Sequence, residues 1–173
     1  VDHLSPGKYS FSEKVPSGWD LAGIKCSGTK ADPVVDGAKV TLDLAAGENA
    51  DCTWTNTQQG TIVVKKSVSG GSSASFDFSG PSAEDPNFAV TAGDTKTFSR
   101  VPGKYAVTEL EKAGWDLTGL TCSDQQDTTG GSTVSLPDRK ASIDLQAGET
   151  VTCEFTNAEK PAVINVTKLT SDG

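Results

Sequence analysis

The 173-residue chain has no Met, one His (His3), two Tyr and three Trp. With one imidazole and no CxxC pair, it lacks the ligand set of a zinc site, and no other metal motif replaces it. Asp124 with Asp127 and Glu84 with Asp85 follow no EF-hand spacing. A Gly-rich phosphate loop and a G-x-S-x-G elbow are also missing, so neither turnover catalysis nor a cofactor is expected. "SLPDR" (Ser135–Arg139) lacks the Thr-Gly of a sortase signal. No apolar run approaches the length of a membrane-spanning helix, and no cleavable signal opens the chain. Basic charge is scarce: 15 Lys and Arg stand against 23 Asp and Glu, for a net charge of -8. That balance disfavours nucleic acid and anionic membranes as partners, because both need a basic face. A chain without Met that opens inside a repeat is expected to be a mature or excised segment of a longer protein.

What is present is repetition. "GWDLAGIKC" (Gly18–Cys26) returns as "GWDLTGLTC" (Gly114–Cys122), and Gly7, Tyr9 and Glu13 return at the same offset of 96 as Gly103, Tyr105 and Glu109. "LDLAAGENADCTWTN" (Leu42–Asn56) returns as "IDLQAGETVTCEFTN" (Ile143–Asn157) at an offset of 101. The extra residues fall in the Gly-, Ser- and Thr-rich stretch Ser123–Asp138, which reads as a loop where insertions cost little. A third echo places Ile164, Val166 and Lys168 at an offset of 102 from Ile62, Val64 and Lys66. A repeat of about a hundred residues is domain-sized and not a solenoid unit. The expected organisation is a partial repeat over 1–58 that lacks its first strands, a complete repeat over 59–159, and the first strand of a further repeat over 160–173.

Each repeat carries two cysteines, Cys26 with Cys52 and Cys122 with Cys153. Of the three formal pairings, repeat symmetry favours one disulfide per repeat, and hence an oxidising extracellular location; reduced core thiols are the alternative. Such loops would stabilise each repeat by roughly 3–4 kcal/mol.

Every readable segment alternates with period two and none carries a helical stripe. Ile62 and Val64, Phe76 and Phe78, Tyr105 and Val107, and Val151, Cys153 and Phe155 each mark one face of a strand. Turn clusters such as "SGGSS", "TAGDT" and "VPGK" separate them. The fold class is therefore all-β, in tandem antiparallel β-sandwich domains of prealbumin-like or immunoglobulin-like type.

Three polar residues fall on the apolar faces: Lys66 with Ile62 and Val64, Glu109 with Tyr105 and Val107, and Asn157 with Cys153 and Phe155. An unpaired buried charge costs several kcal/mol, so these residues require one another or solvent at the strand ends. The partial repeats offer Glu13, Asn56 and Lys168 at matching positions. "VPGKYAVTELEKAGWDL", "GTIVVKKSV" and "CEFTNAEK" together resemble the Gly-x-Tyr-x-x-x-Glu segment, the first strand with its reactive Lys and the last strand with its Asn in Cna B-type, or SpaA-like, prealbumin-fold repeats of bacterial surface proteins and pilins. The resemblance implies an intramolecular isopeptide bond, with Lys66 as nucleophile, Asn157 as electrophile and Glu109 as proton shuttle. Lys65 stands beside Lys66 and competes for the assignment. A hydrogen-bonded polar triad without a bond, or a Lys whose head reaches water, is the structural alternative.

The expected function is a stalk or shaft repeat of a secreted cell-surface fibre, pilus-like filament or adhesin. Its partners would be neighbouring repeats or subunits of the same fibre. The alternative is an extracellular module that recognises a carbohydrate or host protein through the loop Ser123–Asp138. Asn165 opens an N-x-T sequon, which matters only in a eukaryotic secretory host. A longer chain is the expected source of the strands missing from the partial repeat, and strand exchange between chains is the other possibility.

Overall fold

The computed structural model describes residues 4–124 and 131–169. His3, residues 125–130 of the loop Ser123–Asp138, Asp127 among them, and the last four residues of the 160–173 segment lie outside the described residues. Among those described, all regular structure is β, in fourteen strands.

The period-two segments become strands because alternation lets one face of each bury apolar side chains while the other stays wet. Within residues 60–159, strands β6 (Gly60–Val68), β9 (Thr95–Arg100), β11 (Trp115–Asp124) and β14 (Thr150–Glu159) form one sheet in the order β11-β14-β6-β9. The second sheet has the order β12-β13-β10-β7-β8 and is built from β7 (Ser75–Ser82), β8 (Asp85–Thr91), β10 (Gly103–Glu109), β12 (Thr133–Ser135) and β13 (Lys140–Leu145). Both inner faces feed one core, which includes Ile62, Val64, Phe76, Phe78, Val107 and Phe155. Phe76 meets Trp115 and Phe78 meets Phe155 across the two sheets, edge to face, at centroid separations of 5.2 and 5.1 Å. Edge-to-face contacts of this kind suit the aromatic quadrupole.

The first and last strands of this unit, β6 and β14, are parallel neighbours, with Val151 opposite Ile62, Cys153 opposite Val64 and Phe155 opposite Lys66. Gly60 permits the close approach of β6 to the end of β13 in the other sheet: a Cβ there would lie 2.6 Å from the Gln146 carbonyl and 2.7 Å from Leu145 Cγ.

The repeated phrases correspond to repeated geometry. Strands β1 (Gly7–Ser12), β3 (Val34–Asp36) and β4 (Lys39–Leu44) form a sheet ordered β1-β4-β3, and β2 (Trp19–Ser27) pairs with β5 (Asp51–Gln58). These match β10, β12, β13, β11 and β14 in turn. Register shifts at Leu21/Gly23 in β2 and at Leu117/Gly119 in β11 fall at equivalent places. Tyr9 and Tyr105 each donate to the carbonyl four residues back, Ser5 at 2.6 Å and Val101 at 2.7 Å, which closes the turn before their strands. The cysteines pair within repeats, Cys26 with Cys52 and Cys122 with Cys153, directly across neighbouring strands. Counterparts of β6 to β9 are absent among the described residues 4–58, and there only Val40 and Leu42 are buried apolar residues. Trp19, whose repeat partner Trp115 is in the core, is 40% exposed. Residues 160–169 form no strand and lie exposed, since a strand needs a neighbour for its backbone hydrogen bonds.

Candidate functional site

Alternation along β6 turns Gly60, Ile62, Val64 and Lys66 inward, and along β14 it turns Val151, Cys153, Phe155 and Asn157 inward. Glu109 ends β10 in the opposite sheet, paired with Phe78 of β7, and its carboxyl reaches across the sandwich. The three polar side chains that the sequence places on apolar faces therefore meet. Lys66 and Asn157 are fully buried and Glu109 is 1% exposed.

Lys66 Nζ donates to Asn157 Oδ1 at 2.7 Å and to the carbonyls of Phe155 and Ser67, each at 2.8 Å. Three acceptors around one nitrogen match the three donors of an ammonium. Glu109 Oε2 lies 3.6 Å from the same nitrogen, and the Phe76 ring centroid is 4.2 Å away. Burial holds the Lys66 pKa below its usual 10.5, and the negative charge of Glu109 opposes that shift in part. Asn157 Nδ2 donates to Glu109 Oε1 at 2.8 Å. Glu109 Oε2 makes no hydrogen bond among the described residues, so the carboxyl oxygen facing the amine is the free one.

The arrangement can move a proton and then join two strands. The amine and amide are in contact, and an unengaged carboxyl oxygen lies beside them. Loss of a proton from the ammonium would expose a lone pair next to the amide carbon. Lys65 is not a competitor in this geometry. It points to the outer face, half exposed, 3.3 Å from Glu154 Oε1.

Sequence reasoning missed Arg139. Its Nε donates to the Glu109 carbonyl at 3.0 Å, and its Nη2 contacts Glu109 Oε1 and the Leu110 carbonyl. The Glu109 backbone N–H donates back to the Arg139 carbonyl at 3.0 Å. Arg139 has φ of 56°, in the left-handed region, which aims its side chain from the β12–β13 turn back over β10. The missed signal is an Arg beside the start of β13, where the partial repeat has Ala38.

The partial site holds the same pair without a lysine. Asn56 Nδ2 donates to Glu13 Oε1 at 2.6 Å, while Asn56 Oδ1 and Glu13 Oε2 are buried and make no hydrogen bond among the described residues. Lys168 is exposed on the segment 160–169. No group of three metal-ligating side chains occurs among the described residues.

A family profile described as a prealbumin-like fold domain matches residues 1–58 and 62–159. No curated protein matches the chain. Among solved structures, a bacterial adhesin from Mobiluncus mulieris containing intramolecular disulfide, isopeptide and ester bond cross-links is similar at 16% identity and a TM-score of 0.45, over 75% of this chain and 54% of that one. The major pilin protein T-13 of Streptococcus pyogenes is similar at 15% identity and a TM-score of 0.33, over 92% of this chain and 70% of that one. The chain thus spans about half the length of the adhesin.

Proposed function

The chain belongs to the family of prealbumin-like fold domains, and from that premise we propose that it is a shaft segment of a secreted cell-surface fibre, pilus or adhesin, locked by an intramolecular isopeptide bond between Lys66 and Asn157. Residues 59–159 are then a complete repeat, 1–58 a partial one and 160–173 the opening strand of another. The partners are neighbouring repeats or subunits of the same fibre. The observation that carries this reading is the buried contact of Lys66 Nζ with Asn157 Oδ1 at 2.7 Å, with the free Glu109 Oε2 beside it.

The reaction balances within the triad. Lys66 Nζ gives a proton to Glu109 Oε2 and attacks Asn157 Cγ; the Nζ–Cγ bond forms and the Cγ–Nδ2 bond breaks. Glu109 returns the proton to the departing nitrogen, which takes the second proton lost by the ammonium as well and leaves as ammonium, a neutral-mass loss of one ammonia from the chain. Arg139 and Asn157 Nδ2 both engage Glu109 Oε1, which keeps Oε2 toward the amine. The event happens once per molecule, so this is a self-modifying structural protein without turnover.

Intact mass of the native chain under non-reducing conditions, with peptide mapping, tests the proposal. The expected result is a deficit of four hydrogens and one ammonia, the ammonia loss mapped to a Lys66–Asn157 linkage. A deficit of four hydrogens alone overturns the bond and leaves two disulfides and a polar triad.

A further inference from the structure

The phrase Gly-Trp-Asp, written once in each repeat, takes no part in the triad or the disulfides. It grips the residue that leaves the last strand. Gln59, the single residue between β5 and β6, donates its backbone N–H to the Gly18 carbonyl at 2.8 Å and its Nε2 to Asp20 Oδ2 at 2.7 Å. Lys160, the residue after β14, meets the second copy in the same way. Its N–H donates to the Gly114 carbonyl at 2.9 Å, and its Nζ lies 3.3 Å from Asp116 Oδ1. A left-handed backbone turns that carbonyl toward the departing chain, with φ of 80° at Gly18 and 81° at Gly114, which favours glycine. The carboxylate accepts from an amide in one repeat and an ammonium in the other.

The chain is held again as it enters the next repeat. Gly60 is buried against Leu145 and the Gln146 carbonyl, and the Thr61 N–H donates to the Glu149 carbonyl at 2.7 Å. The turn Gln146–Glu149 is braced from within, since Glu149 Oε2 accepts from the Gln146 N–H. It also reaches back across the link: the Gln58 side chain lies against Gly148, where an added Cβ would come 2.9 Å from Gln58 Oε1.

We propose that Gly-Trp-Asp is a clasp that fixes the direction in which the chain leaves a repeat, and that the link 58–61 is a rigid coupling and not a hinge. A hinge needs residues free to change φ and ψ. Here Gln58 is paired with Trp19 in the β2–β5 ladder, Gln59 is clasped, Gly60 is wedged and Thr61 is bonded. Domains joined through a small interface ordinarily move relative to one another. This link departs from that default because its own backbone is tied on both sides, so β5 hands its direction to β6. The inference rests on reading 1–58 and 59–159 as successive repeats, and not on whether Lys66 and Asn157 form a bond.

Pulsed electron paramagnetic resonance on the full chain tests it, with spin labels carried by p-acetylphenylalanine at the exposed positions Lys8 and Lys104, which leaves both disulfides intact. The native chain should give one narrow distance distribution. Four Gly and Ser residues inserted between Gln59 and Gly60 should spread it by on the order of 10 Å, the reach of a flexible linker of that length. Asp20→Ala with Gln59→Ala should broaden the native distribution. Asp20→Asn, which keeps an acceptor, and Gln59→Lys, which copies the Lys160–Asp116 pair, should each stay narrow. A native distribution as broad as that of the insertion, or a width indifferent to the paired alanine changes, overturns the proposal. Hydrogen exchange gives a second readout: the Gln59 and Thr61 amides should exchange slowly in the native chain, and fast exchange at either overturns the proposal. The strand amides of β5 and β6 then tell a loose link from an unfolded repeat. Mass spectrometry of the Lys66–Asn157 bond reports separately on the cross-link.

Discussion

Replacing Lys66 with Met separates the two accounts of the buried triad by its effect on the denaturant slope. If the isopeptide bond exists, Lys66→Met removes a cross-link between residues 91 apart in sequence, worth about 4–5 kcal/mol in the chain-entropy model. The Cys122–Cys153 disulfide already bridges 31 of those residues, but the logarithmic dependence on loop length reduces the figure by only about 0.4 kcal/mol. Met is close to Lys in length, fills the same space beside the Phe76 ring and adds a sulfur–aromatic contact. Glu109 Oε1 keeps its contacts with Arg139 and Asn157. The loss should therefore be close to the cross-link term itself, with a fall in Tm of about 10–30 °C for a unit of this size. If no bond exists, the substitution removes the cation of a buried ion pair and the donor to Asn157 Oδ1 and two carbonyls, which also destabilises, by about 3–5 kcal/mol, but it leaves the denaturant m-value unchanged, whereas losing a cross-link frees the unfolded chain and raises it. Denaturant titration under non-reducing conditions, followed by the fluorescence of Trp115 at its contact with Phe76, measures the difference. Wild-type protein that retains the ammonia mass, together with a variant of unchanged m-value, would refute the cross-link reasoning.

Glu109→Gln should abolish bond formation and leave a buried amine without its carboxylate. Burial already holds the Lys66 pKa below 10.5, so the unfolded state binds more protons in the window from that depressed value up to 10.5. Stability of the variant should rise with pH across this window, and denaturation midpoints at several pH values should show a slope that cross-linked wild type lacks at this residue. Arg139→Ala should slow ammonia loss during refolding by roughly tenfold, the scale of one charge-assisted hydrogen bond, with partial rescue by Arg139→Lys in a time course read by mass. Replacing Cys122 and Cys153 together by Ala should cost about 3–4 kcal/mol for a separation of 31 residues. Intact mass should still show the lost ammonia, because neither sulfur contacts the triad.

The parts of the fold legible in the sequence are those where period two meets a buried face. On β6, β10 and β14 a one-residue slip would turn every apolar side chain outward, so parity alone assigned Lys66, Glu109 and Asn157 to the interior. Parity also separates Lys66 from Lys65, since only Lys66 keeps step with Ile62 and Val64. Arg139 was not legible, because a charged residue in a turn reads as solvated and nothing local shows that a positive φ folds it back over another strand. Glu149 was missed for the same reason: it sits in a repeated turn, yet it is 1% exposed and its Oε2 accepts from the Gln146 N–H at 2.7 Å. Tertiary contacts of turn residues depend on which strands the turn lies over, and one strand's alternation carries no information about that.

The parallel pairing of β6 and β14 ties the site to the proposed shaft role through its geometry. Load applied to a repeat enters at Gly60, the start of β6, and leaves at Glu159, the end of β14. In a parallel pair those points lie at opposite ends of the ladder, so tension shears eight paired residues together and does not unzip them one by one. Lys66 and Asn157 lie near the exit end of that ladder, and a bond between them would carry the load from the first strand to the last without passing through β7 to β13. The Cys122–Cys153 disulfide sits off this route, joining β14 to its other neighbour β11. The two links would therefore do different work. The disulfide holds the sheet against thermal opening, while a Lys66–Asn157 bond would set how much chain tension can release, so a repeat with one link would still gain from the other.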